Sequence, residues 1–471
     1  MKKKLILAEK IFTVISLLHY LGGPMALILS GGENEGQTTG TNSYALIQAF
    51  FFVNYAISLV LLTLRWKNVL YVLKQDRFNT ILLSIAILSF FWSAAPGVTS
   101  VRVIALIGSS LFGLYLATRY SLQEQLQLLA WTFGIVIGLS CLFAIAMPKY
   151  GVMSGMHGGK WRGIFTHKNA LGKSMVLSSL VFLLLSVGEH KLKFLYWSGL
   201  GLSLFLLVIS QSSSAMITLL IMIAIFMVLR IVRLPYILMV PMIFCLVLVG
   251  VLANFWLATN TMSLLGSIGK DTTLTGRTDL WPAVLDKIWE RPWLGYGFSG
   301  FWGDWSSEGG YVWRVTAWDP PNAHNGMLDI WLDLGLLGLS VYLLGFIASV
   351  GRGLAYLRQS SAAAAIWPIM YLMYFWCSNQ TESGFLRQNE IYWLLYVVVT
   401  VSLIPSRPII QIPPELESDR DFDLDRSMPI HQELAQNVTS AFYTLIKTEN
   451  RSPKSSQQEP LVSDSPKPKQ K

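Results

Sequence analysis

Charge is what this chain has least of. Only 13% of its 471 residues are Asp, Glu, Lys or Arg, against 53% hydrophobic ones, and mean hydropathy is +0.49. So little charge cannot cover the surface of a water-soluble protein of this length, which excludes a soluble enzyme and predicts an all-α polytopic membrane protein. Cysteine is nearly absent as well. Cys141, Cys245 and Cys377 stand singly in apolar runs, which excludes a disulfide framework and a cysteine metal centre and leaves them packing roles. No repeat of roughly 20–50 residues is visible, although an inverted repeat of the transporter kind is left open. Acidic residues are missing entirely from Pro148 to Lys173, where Lys149, Lys160, Arg162, Lys168 and Lys173 stand uncompensated.

Apolar windows of about 17–25 residues predict about twelve helices. They fall near 11–30, 44–64, 78–94, 100–118, 126–147, 170–188, 194–210, 214–232, 235–258, 325–349, 362–379 and 390–405. Met1-Lys2-Lys3-Lys4 before an apolar run imitates a signal peptide, but no small-residue cleavage site follows, so a retained first span is expected. With the N-terminus inside, the inner connections carry Arg65, Lys67, Lys74, Arg77, Arg119, Lys191, Lys193, Arg230, Arg233, Arg352 and Arg358, whereas 31–43, 95–99 and 211–213 hold no Lys or Arg. This bias predicts both termini in the cytoplasm and an even number of spans. After about Pro405 the chain turns to Pro, Ser, Gln and charged residues. Residues 406–471 are therefore expected to be a mostly disordered cytoplasmic tail, with one amphipathic helix near 430–447. Asp421, Asp423 and Asp425 imitate a metal-binding pattern, but in this tail they read as a solvated charge run. No metal, other cofactor or nucleic-acid partner is expected.

Two outer segments depart from the pattern, 148–169 and the long loop 259–324 between the ninth and tenth helices, and both are expected to form the active site. Basic residues are scarce on the outer face, so a cation cluster there points to a bound anion; the plain alternative is contact with lipid phosphates. Lys168 and Asn169 fall where the sixth span begins, so helix N-terminal NH groups would join Lys160, Arg162 and Lys168 in holding a pyrophosphate. The long loop is rich in aromatics, including Trp293, Tyr296 and Phe298, and predicts short helices at headgroup level. It also carries Leu274-Thr275-Gly276-Arg277-Thr278. Small neighbours suit the Arg277 guanidinium to phosphate oxygens; a surface pair with Asp279 or Asp271 is the alternative. His324 lies where the loop returns to the membrane, and a neutral histidine there can take a proton from an attacking hydroxyl; the alternative is a helix-capping histidine. Asn325, Asp329 and Asp333 follow on the tenth helix, and intramembrane carboxylates default to functional or paired roles. Glu382, in Asn379-Gln380-Thr381-Glu382-Ser383, is a second candidate base or orienter of acceptor hydroxyls; an exposed acid beside Arg387 is the alternative. All of these fall on one predicted side of the membrane.

Several of these segments resemble the O-antigen ligase and polymerase (Wzy-like) superfamily, and more closely its exopolysaccharide-polymerase branch. The likeness is carried by Arg162-Gly163-Ile164-Phe165-Thr166-His167-Lys168-Asn169-Ala170-Leu171-Gly172, Gly276-Arg277-Thr278 with Trp281, Pro292-Trp293-Leu294-Gly295-Tyr296-Gly297, Ala323-His324-Asn325 and Glu382-Ser383. It covers roughly residues 1–405. The resemblance implies a GT-C-like glycosyltransferase in the bacterial cytoplasmic membrane, acting on undecaprenyl-pyrophosphate-linked glycans at the periplasmic face. It implies that Arg277 engages the donor pyrophosphate and that His324 activates the acceptor hydroxyl. A flippase and a chain-length regulator are the protein partners expected of such a pathway, beside membrane lipids. Many members carry a further basic residue near the next outer loop, but here Ile209-Ser210-Gln211-Ser212-Ser213-Ser214-Ala215 has none. Arg162 or Lys168 is the candidate substitute. The expected function is polymerisation of lipid-linked repeats; the alternatives are an O-antigen ligase and, from another class, a transporter of lipid-linked glycans or small anions.

Overall fold

The computed structural model describes residues 2–22, 27–28, 41–154, 158–188, 191–235, 237–242 and 277–405. Within them the chain is helical. The helices are α1 (Lys2–Tyr20), α2 (Thr41–Thr63), α3 (Trp66–Gln75), α4 (Arg77–Leu88), α5 (Pro96–Arg119) and α6 (Leu122–Ala146). After a single turn at Pro148–Gly151 come α7 (Lys168–Val187), α8 (Lys193–Ser210), α9 (Ser213–Val232), α10 (Arg277–Glu290), α11 (Gly309–Thr316), α12 (Gly326–Gln359), α13 (Trp367–Ser378) and α14 (Ile391–Ser402). Among the described residues, seven stretches are long and apolar enough to cross a membrane, in α2, α5, α6, α7, α8, α9 and α12. Shorter apolar helices cover Arg77–Trp92, Ala363–Ser378 and Ile391–Ser402. This is a multi-pass, all-helical membrane protein.

Two expected boundaries are corrected. The first helix runs over Lys2–Tyr20 and not 11–30, because Lys3, Lys4, Glu9 and Lys10 do not interrupt it. Glu9 receives both Nε (2.8 Å) and a terminal nitrogen (2.9 Å) of Arg119, so its charge is matched across to α5. The tenth expected span, 325–349, runs on to Gln359 as α12. The ninth expected span lies largely outside the described residues, as do 259–276 and the expected helix near 430–447.

The α7 helix sits at the centre of the bundle. Small residues admit its neighbours: Ser178 and Ser203 share a 2.7 Å hydrogen bond between α7 and α8, and Gly199 faces the Phe182 ring so closely that a Cβ would lie 2.6 Å from it. The long loop has an apolar core of its own, built from Leu280, Val284, Ile288, Tyr296, Phe301 and Val312 among others. Its α10 and α11 are the short helices expected there.

The α12 helix is broken at Gly335, whose φ of 66° and ψ of −169° belong to glycine alone. The segment Pro292–Tyr296 fills the break. Leu336 NH donates to the Pro292 carbonyl (2.8 Å), Leu337 NH to that of Trp293 (3.2 Å), and Tyr296 NH to that of Leu332 (2.7 Å). Helical hydrogen bonds lost inside α12 are thus replaced by bonds to the long loop. The same loop is fastened to the start of α5: Ala94 NH donates to the Tyr296 carbonyl (2.8 Å), and the Thr99 hydroxyl to that of Phe298 (2.9 Å).

Candidate active site

His324 is held by three elements. Its backbone is left-handed (φ 49°), and its NH donates to Asn322 Oδ1 at 2.9 Å. The carbonyl just before it, on Ala323, receives Trp281 Nε1 at 3.1 Å. Trp281 lies one helical turn after Arg277, the first residue of α10. The imidazole stacks on Trp318, with ring centres 6.0 Å apart and planes 18° apart. Asn325, not His324, caps α12: its Oδ1 accepts from Met327 NH (2.9 Å) and Leu328 NH (3.4 Å). The imidazole is therefore not consumed by helix capping.

His324 Nδ1 is enclosed with no hydrogen-bond partner, and Glu382 Oε2 lies 3.8 Å from it. Glu382 reaches this position through Asn379, which is fully buried. The Asn379 side-chain oxygen accepts from Gly384 NH (2.6 Å) and Phe385 NH (3.0 Å), while its carbonyl accepts from Gly326 NH (2.9 Å) at the start of α12. One amide side chain thus shapes the Glu382 loop and clamps it to the histidine's helix. A carboxylate beside Nδ1 favours the tautomer with its proton there, leaving Nε2 as acceptor. That is the arrangement a general base needs.

The basic stretch divides into two jobs. Arg162 is 1% exposed and turns onto its own loop, donating to the carbonyls of Tyr150 (2.7 Å), Lys149 (3.2 Å) and Thr166 (3.4 Å). Burial lowers its pKa from the ordinary value. Placed so, it organises the loop, and its guanidinium does not present the open fork expected of a phosphate clamp. Lys168 goes elsewhere. Its Nζ donates to the Gln211 carbonyl at 3.1 Å, and the Ser212 hydroxyl donates to Asn169 Oδ1 at 3.1 Å. The Lys168–Asn169 pair therefore meets the 211–213 connection, where the resemblance leaves a cation missing. Gly172 permits the approach, since a Cβ there would lie 2.6 Å from Ser212 Cβ. Lys160 pairs through its backbone with Met153 (2.9 Å) in a small hairpin. Arg277 begins α10; its side chain lies outside the described part of the structure.

Lys173, counted among the cations but not chosen from the sequence as a site residue, lies over the Tyr392 ring at 3.8 Å. It lines a cavity with Asn169, Ser214, Tyr374, Thr381 and Glu382. A cation within an otherwise apolar span was the available signal. The signal for Asn379, an amide between two helices, is too common to have singled it out. Asp329 positions its neighbours: Oδ1 accepts from Trp302 Nε1 (2.9 Å) and Ala323 NH (3.1 Å). Asp333 lines a second cavity with Asp329, Arg102 and Arg387.

A family model described as O-antigen ligase matches residues 198–343. The match encloses Arg277, His324, Asp329 and Asp333, and leaves out the basic stretch and Glu382. The chain is also 27% identical over 266 residues to the exopolysaccharide production protein ExoQ of Rhizobium meliloti (strain 1021), an alignment covering 54% of this chain and 60% of that protein. Together they support the O-antigen ligase/polymerase superfamily, on its ExoQ-like side.

Proposed function

We propose, from this superfamily and from the site's geometry, that the protein polymerises undecaprenyl-pyrophosphate-linked repeat units by inverting glycosyl transfer at the outer membrane face. An acceptor hydroxyl gives its proton to His324 Nε2 as its oxygen attacks the anomeric carbon of the donor sugar. The bond from that carbon to the pyrophosphate oxygen breaks, and the lipid pyrophosphate leaves with the electron pair. Glu382 stabilises the imidazolium that forms. Arg277 and Lys168 balance the charge of the leaving group; the first NH groups of α7, expected to join them, are already taken by Met153 and His167. The carrying observation is the enclosed Nδ1 of His324, 3.8 Å from Glu382 and without a competing partner. ExoQ's name, exopolysaccharide production, favours another lipid-linked repeat over a lipid or protein as acceptor.

The test uses the purified full chain in liposomes with a lipid-linked repeat unit. Polymer and lipid pyrophosphate are expected in step, and both should vanish in His324→Ala. Substrate that crosses the bilayer unchanged would replace this reading with transport.

A further inference from the structure

The second cavity holds charges that do not pair. It is lined by Arg102 of α5, Asp329 and Asp333 of α12 ahead of the break, Arg387, Phe298 and Trp302. Arg102 is near enough to Arg387 and Asp333 to interact electrostatically. Yet among the described residues no nitrogen–oxygen contact within 4.0 Å joins either guanidinium to either carboxylate. Asp329 Oδ2 is enclosed and has no hydrogen-bond partner. A structural ion cluster in so restricted a space would close into pairs, because unpaired charge removed from water is costly. Charges kept apart around a cavity suit a ligand that supplies the missing bonds.

The balance of those charges narrows the ligand. Two guanidinium groups and two carboxylates give no net pull on an ion. They do offer donors and acceptors in alternation, which is what hydroxyl groups need, since each both donates and accepts. The Trp302 ring adds an aromatic wall for the CH face of a sugar. The cavity also adjoins the base, for Asp329 receives the NH of Ala323, next to His324, and Arg387 follows Glu382 on one short loop.

We propose that this cavity is a saccharide subsite that holds the acceptor sugar, with Arg102 and Arg387 donating to its oxygens and Asp329 and Asp333 accepting from its hydroxyls. The assignment rests on the glycosyl-transfer reading, whose acceptor it seats. The test measures binding alone, in a His324→Ala background without donor. The probe is lipid-free oligosaccharide released by mild acid from the producing cell's own lipid-linked glycans. The parent should bind it, and Arg102→Gln and Arg387→Gln should each weaken binding at least tenfold, with Arg387→Lys between. Asp333→Asn, nearly isosteric, serves if an arginine variant loses its fold, and it should weaken binding likewise. Unchanged binding in the folded variants, or none by the parent, overturns the subsite. Polymer synthesis is followed separately with His324 intact. Polymer without saccharide binding counts against the subsite alone, and binding without polymer counts against the transfer reading.

Discussion

His324 and Glu382 are ordinary residues individually, and each had a plain alternative in the sequence. The structure separates them from those alternatives, since Asn325 takes the capping role and Glu382 faces the imidazole at 3.8 Å. His324→Ala should lower the polymerisation rate about 10²–10⁴-fold, the usual worth of a general base. Glu382→Gln should lose less, and should change the pH–rate profile where a purely structural lesion would not. Identical profiles would remove Glu382 from the proton path. The two buried cations predict different phenotypes. Arg162→Ala leaves the carbonyls of Tyr150, Lys149 and Thr166 without their charged donor. It should cost about 3 kcal/mol of stability, read as a lowered melting temperature in detergent. Lys168→Ala, which removes the donor to the Gln211 carbonyl, should lower the melting temperature less than Arg162→Ala and weaken donor use, read as a raised KM for the lipid-linked repeat. The reverse pattern would return the anion site to Arg162. Lys168 and Arg162 were indistinguishable in the sequence because both are cations in one glycine-rich stretch. Only their carbonyl partners tell them apart.

The broken helix α12 carries a prediction of its own. A Cβ on Gly335 would lie 2.1 Å from the Trp293 carbonyl oxygen, and its backbone conformation excludes other residues at about 1–3 kcal/mol before any clash. Gly335→Ala should therefore undock Pro292–Tyr296, lowering both the melting temperature and the protease resistance of the long loop. Wild-type values of both would mean that the break is not needed. The loop's two helices are also joined by charge, as Lys287 Nζ reaches Glu290 (2.8 Å) and Glu308 (3.3 Å). Burial alone would lower the Lys287 pKa, but the two carboxylates outweigh it and raise it. Its contribution to stability is complete below the unfolded value near 10.4 and is lost as pH rises through the higher folded value. The α10–α11 contact should thus loosen only in alkaline solution, seen as a lower melting temperature of the loop there; a loss of stability near neutrality instead would assign the contact to other groups.

For the whole molecule, composition settles the environment, and charge placement predicts an orientation that cysteine labelling tests. In a background with Cys141, Cys245 and Cys377 replaced by Ser, Trp305→Cys should react with an impermeant reagent from outside intact cells. Lys191→Cys should react only after the membrane is opened. The opposite result would invert the expected topology and overturn the proposed placement of the site at the outer face. Exposed Trp289, Trp293 and Trp305 on the long loop suit a headgroup-level position.

The sequence alone determined the membrane character and most of the helices, and it pointed to 148–169 and 259–324 as segments of the candidate site, because hydropathy and charge are local properties summed along the chain. It also brought out His324, Arg277 and Lys168 as candidates through short motifs. What only the tertiary structure decided is which partners they have. The Glu382–His324 approach, Lys168 at Gln211 and the gathering of Arg102 with Arg387 each join segments far apart in the chain, and the turning of Arg162 onto its own carbonyls depends on how its loop folds. Such contacts follow from how broken and small-residue helices pack, and no local pattern encodes that.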